Sequence, residues 1–264
     1  MKILIMIGDH PRHLHLYKTI KSNAFDCSAI IMRREKHLPI IPKKINYIDK
    51  INFKKHFIER SVVENEYFGK IRIPESEKKN IKFIEEKDLN TKNTLNIVKK
   101  INPKICIIFG TKIIKNPLLK VLPKKTINIH LGLSPEYKGS ATLFWPFYFL
   151  EPQYAGVTIH KITNKVDSGD ILHQILPKFS KSDGIHDVSC KLVKKACKDI
   201  VKLVKLSKKK NWIFFKQKKS GKLFLTKDFK VEHLRVIYNL FDNDIVRFFL
   251  KKKNKKYPKI IKAF

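Results

Sequence analysis

Unbroken runs of apolar residues recur along the chain, and polar or amphipathic stretches separate them. Residues 2–7 (KILIMI), 28–32 (SAIIM) and 104–110 (KICIIFG) are runs of this kind, and a helix is predicted after Pro11. Continuous apolar runs are typical of strands that are buried on both faces of a parallel sheet. Because such strands alternate with helical segments, the pattern predicts an α/β fold with a Rossmann-like, mostly parallel sheet flanked by helices.

The rest of the pattern predicts further elements around this sheet. They are helices around 53–66, 89–102 (with Asn90 or Thr91 near the N-cap), 116–122 and 183–206, and strands at 125–131, 155–162 and 170–179. The strand at 155–162 alternates between apolar and polar positions, which predicts a half-exposed strand. The helix at 183–206 has an apolar stripe at three-to-four spacing, and Ser182 or Asp183 is predicted to cap it.

A change of pattern near residue 205 predicts a domain boundary. Residues 1–205 are expected to form the Rossmann-like catalytic domain, and residues 206–264 a small α+β C-terminal unit with a Lys-rich tail at 251–264. Within the small unit, WIFFKQKKSGKLFLT is predicted to be a hairpin that turns at Ser220-Gly221. The stretch KVEHLRVIYNLFDNDIVRFFLKK is predicted to form one or two helices.

The formal net charge of +34 raises the question of a nucleic acid partner. Of the 57 basic residues, 50 are Lys and 7 are Arg, and they are spread from end to end. Recognition of phosphates and bases favours the Arg guanidinium, so dispersed Lys indicates a solvated surface and does not favour a nucleic acid partner. The Lys-rich tail is the exception, because clustered charges can hold an anion or RNA nonspecifically.

Cysteine usage and hydropathy exclude several other classes. The four cysteines are Cys27, Cys106, Cys190 and Cys197. They form no CxxC pair and have no accompanying histidine spacing, so neither a metal site nor a disulfide framework is expected. Reduced thiols and the absence of a signal-like or membrane-spanning apolar run predict a cytoplasmic protein with no membrane partner.

No GxGxxG or GxxxxGK[ST] motif is present, which disfavours ordinary dinucleotide and P-loop sites.

Candidate chemistry is concentrated where the strand at 125–131 ends. Asn128 and His130 are two positions apart, so their side chains point the same way, beyond the strand end where such sheets bind ligands. Asp167 lies in a turn-rich loop that can fold back over this edge. An Asn amide can donate to an oxyanion, a His can carry a proton, and a carboxylate can hold the His in its charged form. An acyl-transfer site and a purely structural trio both remain open from chemistry alone.

The order of several motifs resembles the folate-dependent formyltransferase family. That family includes glycinamide ribonucleotide, methionyl-tRNA and nucleotide amino-sugar formyltransferases and the related formyltetrahydrofolate hydrolases. The motifs are Asn-X-His, Pro-X-Tyr-basic-Gly, a nearby Trp, Gly-X-Thr-Ile-His and Asp-X-Gly-Asp-Ile. The matching residues are Asn128, His130, Pro135, Tyr137, Lys138, Gly139, Trp145, Gly156, Thr158, Ile159, His160, Asp167, Gly169, Asp170 and Ile171.

The resemblance implies a formyl donor, 10-formyltetrahydrofolate, and an amine acceptor, with no metal. By the same resemblance, Asn128 and protonated His130 would stabilise the tetrahedral oxyanion, and Asp167 would keep His130 cationic and help to move the amine proton. The residues implied in folate binding are Gly110, Thr111, Lys112, Ile113 and Asp170.

The chain departs from the family pattern beside the expected acceptor. Many members have Ser two places after the His, where this chain has Gly132, and Pro before the Trp, where it has Thr142. A small amine, such as a nucleotide-linked amino sugar, is the favoured acceptor, because residues 206–264 are too few for the barrel domain of methionyl-tRNA formyltransferases. The alternatives are a methionyl-tRNA enzyme, a glycinamide ribonucleotide enzyme, a formyltetrahydrofolate hydrolase, and a basic RNA-binding protein that retains the fold.

Overall fold

The computed structural model describes residues 1–34, 41–218 and 221–264. The strands in this part of the chain are β1 (Ile3–Gly8), β2 (Cys27–Arg33), β3 (Ile81–Glu85), β4 (Ile105–Phe109), β5 (Lys125–His130), β6 (Tyr137–Gly139), β7 (Val157–Lys161), β8 (Ile171–Ile175) and β9 (Lys222–Phe224). The α-helices are α1 (Pro11–Ser22), α2 (Tyr47–Phe68), α3 (Glu75–Lys78), α4 (Lys92–Ile101), α5 (Leu118–Val121), α6 (Trp145–Tyr148), α7 (Ile185–Ser207) and α8 (Ile245–Lys251). None of these helices is both long and apolar enough to cross a membrane.

Seven strands form one sheet in the order β3-β2-β1-β4-β5-β7-β8. The first five in this order pair in parallel, and β7 and β8 continue the sheet in antiparallel pairing. Alternate side chains of β1 enter two cores. Ile3, Ile5 and Ile7 face the core shared with α1, α2 and α7, whereas Leu4 and Met6 face the core shared with α4. This two-sided burial explains the unbroken apolar runs and confirms the Rossmann-like, mostly parallel fold with flanking helices.

Two predictions about β7 and α7 are wrong. The strand predicted to be half-exposed is β7, whose residues Val157–His160 are buried, because β7 lies between β5 and β8 and is covered by the core. Helix α7 begins after Gly184 and is not capped by Ser182 or Asp183. Instead, the Gly184 N–H donates to the Asp187 carboxylate at 3.1 Å. The carboxylate of Asp183 accepts the Ser180 N–H at 2.8 Å.

The hairpin predicted around Ser220-Gly221 is also wrong, although Ser220 itself lies outside the described residues. On one side of it, Phe215 pairs with Ile171 at the start of β8. On the other side, β9 pairs in parallel with β6. Phe224 of β9 stacks on Trp145 with ring centroids 4.8 Å apart, so aromatic packing against the main domain outweighs local pairing.

A second stretch of residues 206–264 runs along the free side of β8. The Ile261 carbonyl accepts the Gln174 backbone N–H at 2.8 Å, and the Ile261 N–H donates to the Gln174 side-chain oxygen at 3.1 Å. The Gln174 amide nitrogen in turn donates to the Ser134 carbonyl at 2.6 Å. Residues after 205 therefore cover one edge of the sheet and reach the loop that follows β5. The division into a catalytic domain and a small unit stays a prediction.

Candidate active site

The end of β5 and the loop between β7 and β8 bring together the predicted trio of Asn128, His130 and Asp167. Asn128 and His130 lie in the second half of β5, and Asp167 lies in the loop between β7 and β8. The His130 Nδ1 atom is 3.2 Å from Asp167 Oδ2. His130 is buried, and the Asp167 side chain is 11% exposed. The site is thus shielded from water, which strengthens the interaction between the two side chains.

His160 of β7 is a fourth member of this group, and its sequence signal was only its place in a motif. Its Nδ1 donates to the Lys161 carbonyl at 2.9 Å, and its Nε2 is 3.4 Å from Asp167 Oδ1 and 3.2 Å from the Asn128 amide nitrogen. The four side chains therefore form one chain of polar contacts. Register explains the contact between Asn128 and His160, which are paired across β5 and β7. The Gly-X-Thr-Ile-His motif was the sequence signal for this residue.

The pKa values of His130 and Asp167 are linked. Burial alone raises the pKa of Asp167, but His130, His160 and the Gly139 amide together lower it to about 2, so the carboxylate is ionised. The pKa of His130 lies below its ordinary value of 6.5, because burial outweighs the Asp167 carboxylate, which is the strongest influence that raises it. Both ring nitrogens of His130 face acceptors, since Nε2 donates to the Tyr137 carbonyl at 2.8 Å, and this favours the protonated ring. The charge on His130 therefore depends on the position of Asp167.

The short strand β6 holds both partners in place. Its Tyr137 carbonyl accepts the His130 ring proton, and its Gly139 N–H donates to Asp167 Oδ2 at 2.9 Å. Gly139 has φ +94°, a conformation that other residues rarely adopt, and an added Cβ would meet the Phe224 carbonyl at 2.1 Å. Strand β9, which includes Phe224, therefore fixes the backbone from which the two contacts are made.

Gly132, one of the departures from the family pattern, lies directly against His130. A Cβ at this position would be 2.4 Å from His130 Nε2 and 2.6 Å from the Tyr137 carbonyl, and it would meet Thr142 at 2.7 Å. Any side chain here would have to displace the ring, the carbonyl or both. The glycine is thus required by the hydrogen bond between His130 and Tyr137.

A cavity of about 830 Å³ opens beside the four polar side chains. Of the residues predicted to bind folate, Gly110, Thr111, Lys112 and Ile113 line it. Asp170 is not among the lining residues, and its carbonyl instead accepts the Lys161 N–H at 2.9 Å. Volumes of about 300–1,000 Å³ are usual for small-molecule and cofactor sites. The cavity can therefore hold reacting groups next to His130. In the described part of the chain, no group of three or more His, Cys, Asp or Glu side chains is placed to hold a metal ion.

The cavity wall also contains arginines that the sequence analysis did not single out. Arg12 and Arg60 both contact the Glu64 carboxylate, at 3.4 and 3.0 Å, and Arg34 donates to the Gly110 carbonyl at 2.8 Å. Burial lowers the pKa of Arg12 to about 9, which leaves it charged at neutral pH. His186, buried in the same wall, has no hydrogen-bond partner for its Nε2 among the described residues. This end of the cavity suits an anion.

Sequence comparison matches most of the chain to one family. The profile described as formyl transferase covers residues 2–204. A methionyl-tRNA formyltransferase from Borreliella afzelii is 34% identical over 164 residues, which are 61% of this chain and 50% of that protein. This chain thus spans about half the length of that curated relative.

Solved structures share the fold. The formyltransferase PseJ from Anoxybacillus kamchatkensis, in complex with UDP-4,6-dideoxy-4-formamido-L-AltNAc and tetrahydrofolate, has a TM-score of 0.52 at 18% identity and covers 94% of this chain and 97% of its own. The N-formyltransferase from Helicobacter canadensis, in complex with folinic acid and dTDP-3-aminofucose, has a TM-score of 0.55 at 18% identity and covers 91% and 81%. With the matched profile, the motif order and the common sheet, the chain belongs to the formyl transferase family.

Proposed function

We propose that the protein transfers a formyl group from 10-formyltetrahydrofolate to a primary amine on a small, phosphate-bearing metabolite, with a nucleotide-linked amino sugar as the favoured acceptor. The observation that carries the proposal is the buried His130–Asp167 pair, which lies with Asn128 at the wall of a ligand-sized cavity. Family membership supports folate as the donor, and the folate complexes of the two structural neighbours agree with it.

The proposed reaction needs no protein nucleophile. The neutral amine nitrogen attacks the formyl carbon, a C–N bond forms, and the formyl oxygen becomes an oxyanion. The Asn128 amide and protonated His130 donate to this oxygen. For His130 this requires Nε2–H to exchange the Tyr137 carbonyl, 2.8 Å away, for the oxyanion. The bond from the formyl carbon to the folate nitrogen then breaks, and the proton lost by the amine passes to that nitrogen with the help of Asp167.

The arginines support a phosphate-bearing acceptor over water. Arg12, Arg34 and Arg60 line the same cavity as His130, and a guanidinium can make paired hydrogen bonds to phosphate oxygens. Water would need no such surface, so the cluster disfavours the hydrolase alternative. Both structural neighbours were solved with a nucleotide-linked sugar, which supports the same class of acceptor.

A methionyl-tRNA acceptor is the second candidate. The Borreliella relative carries that name, and the net charge of +34 together with the Lys-rich tail would favour any polyanion. A tRNA is much larger than a nucleotide-linked sugar, so a comparison of formyl transfer to the two acceptors distinguishes the two candidates.

The test is formyl transfer to a panel of amines. Purified protein is incubated with 10-formyltetrahydrofolate and UDP- or dTDP-linked amino sugars, glycinamide ribonucleotide, or methionyl-tRNA, and mass spectrometry follows the gain of one formyl group. We expect transfer to an amino sugar and loss of it in His130→Ala. Transfer to methionyl-tRNA alone would establish the second candidate. No transfer to any amine, with no binding of tetrahydrofolate by calorimetry, would refute the enzyme proposal.

A further inference from the structure

A residue beyond the family-matched segment 2–204 holds the loop that includes Asp167. The side-chain nitrogen of Gln217 donates to two backbone carbonyls, that of Asp167 at 2.9 Å and that of Gly169 at 2.7 Å. Its amide has two N–H groups, so one nitrogen can serve both acceptors. These two hydrogen bonds hold the backbone of the turn that contains Asp167.

We propose that Gln217 is a positioning residue for formyl transfer, because it fixes the backbone from which Asp167 reaches His130. The proposal rests on the proposed function for its kinetic consequence. Gln217 acts through Asp167 and does not contact the substrate. Gln217 is not among the residues that line the cavity.

The placement of Gln217 follows from the strand pairing beside it. Phe215 and Ile171 exchange two backbone hydrogen bonds, of 2.8 and 2.7 Å, in antiparallel register. In that register, moving two residues forward from Phe215 corresponds to moving two residues back from Ile171, which sets Gln217 beside Gly169. The contact is therefore built into the attachment of this segment to β8.

The loop needs an external support because its own packing is sparse. Asp167 adopts φ +45°, a left-handed conformation that costs free energy for any residue other than glycine. The neighbouring residues 163–166 and Ser168 are exposed, so few apolar contacts hold the turn. At Gly169 the loop passes so close to β7 that an added Cβ would be 1.7 Å from the Lys161 carbonyl. Hydrogen bonds to the backbone are then the main means of setting where the Asp167 carboxylate lies.

Positional control of Asp167 has an electrostatic consequence at His130. Asp167 is the strongest influence that raises the pKa of His130 against burial. If the loop relaxes, the distance of 3.2 Å between Nδ1 and Oδ2 increases and the pKa of His130 falls. A purely structural role for Gln217 would change the thermal stability of the protein and leave this pKa unchanged.

The test uses Gln217→Met, which keeps the length of the side chain and removes its donors without adding charge. The matched control is Lys218→Met, at an exposed position one residue away. NMR of the histidine side chains in the full chain follows the titration of the His130 ring, assigned with His130→Gln. In parallel, steady-state kinetics give kcat, the KM for the folate donor and the pH profile, and thermal unfolding reports stability.

We expect Gln217→Met to lower the His130 pKa and to reduce kcat by about 10- to 100-fold, the size of effect that follows a misplacement of about 1 Å. The KM for folate should stay near that of the parent, and Lys218→Met should behave like the parent throughout. Equal His130 titrations in Gln217→Met and Lys218→Met would overturn the proposal, even with a lower unfolding temperature. The titration requires no formyl transfer, so failure of the proposed function and failure of the Gln217 proposal are separately visible.

Discussion

His130 at the end of β5 and Asp167 in the loop between β7 and β8 meet at 3.2 Å, and each is held by the same three-residue strand β6. The Tyr137 carbonyl fixes the far side of the His130 ring, and the Gly139 N–H fixes the carboxylate. Backbone groups of β6 thus hold both side chains of the pair.

Removing the charge of Asp167 should reduce transfer while leaving the fold intact. Asp167→Asn retains the shape of the side chain but loses the carboxylate that raises the His130 pKa. We expect kcat to fall by about 100- to 1000-fold, the cost of weakening one oxyanion donor. Single-turnover kinetics measure this, with the exposed Asp26→Asn as control. Asp167→Asn with a parental single-turnover rate would contradict the role of the carboxylate.

Restoring the residue that many family members have at position 132 should damage this protein. Gly132→Ser, like Gly132→Ala, places a Cβ 2.4 Å from His130 Nε2. We expect about 1–3 kcal/mol of lost unfolding free energy from the forced displacement and a large loss of kcat, because the His130 ring moves. Urea unfolding and kinetics test this. Gly69→Ala is the comparison, since a Cβ there meets no atom within 4 Å, although φ is +62°. Parental activity in Gly132→Ser would show that the site adapts.

A substitution at the arginine end of the cavity should weaken binding of the acceptor and leave binding of the folate unchanged. Arg60→Gln removes a cation that lines the cavity. If it binds phosphate, the KM for a nucleotide-linked amino sugar should rise by about 10- to 100-fold, as for the loss of a hydrogen bond to a charged group. The KM for folate should stay unchanged, as should both constants in the exposed Arg72→Gln. Equal KM changes for both substrates would argue against a phosphate site.

Buried histidines should make the fold sensitive to mild acid. Burial lowers the pKa of His13 and His56 well below the ordinary value of 6.5 and that of His186 to about 4. Below pH 6.5 these histidines bind protons in the unfolded chain but not in the folded protein. The free energy of unfolding therefore has its full value above this pH and falls as the pH decreases toward 4.

Urea unfolding at several pH values tests this dependence. His186→Asn should flatten the slope of unfolding free energy between pH 6.5 and about 4 by up to ~1.4 kcal/mol per pH unit, the value for one proton. Above pH 7 the difference between parent and variant should be constant. An unchanged slope would mean that His186 takes up its proton without unfolding.

The sequence predicts the parts of this molecule that depend on local pattern. The runs at β1, β2 and β4 were recognisable because burial on both faces leaves few polar residues. The trio of Asn128, His130 and Asp167 was found because strand ends and loop order place functional residues at one edge. Strand β3 was not predicted, because this edge strand buries only Ile81 and Ile84 and therefore shows no apolar run.

Features that arise from distant packing were not predictable in this way. β6 and β9 have three residues each, too few to show a period, and their pairing depends on how the C-terminal segment folds back. The arginines of the cavity come from separate elements, and nothing in their spacing connects them. Gln217 lies far from Asp167 in sequence, and only the pairing of Phe215 with Ile171 brings it to the loop.

The position of Gln174 limits how parts of this protein can be exchanged with those of its relatives. Its side chain joins Ile261 on one side to Ser134 on the other, and Ser134 belongs to the loop that follows His130. A chimera that combines residues 1–204 of this chain with the later segment of another family member would replace Ile261 and Gln217, the two residues through which the later segment makes these contacts. Such recombinants should fold around the same sheet and still be poor catalysts. The segment matched to the family and the segment that follows it are therefore linked at the candidate site through Gln174 and Gln217.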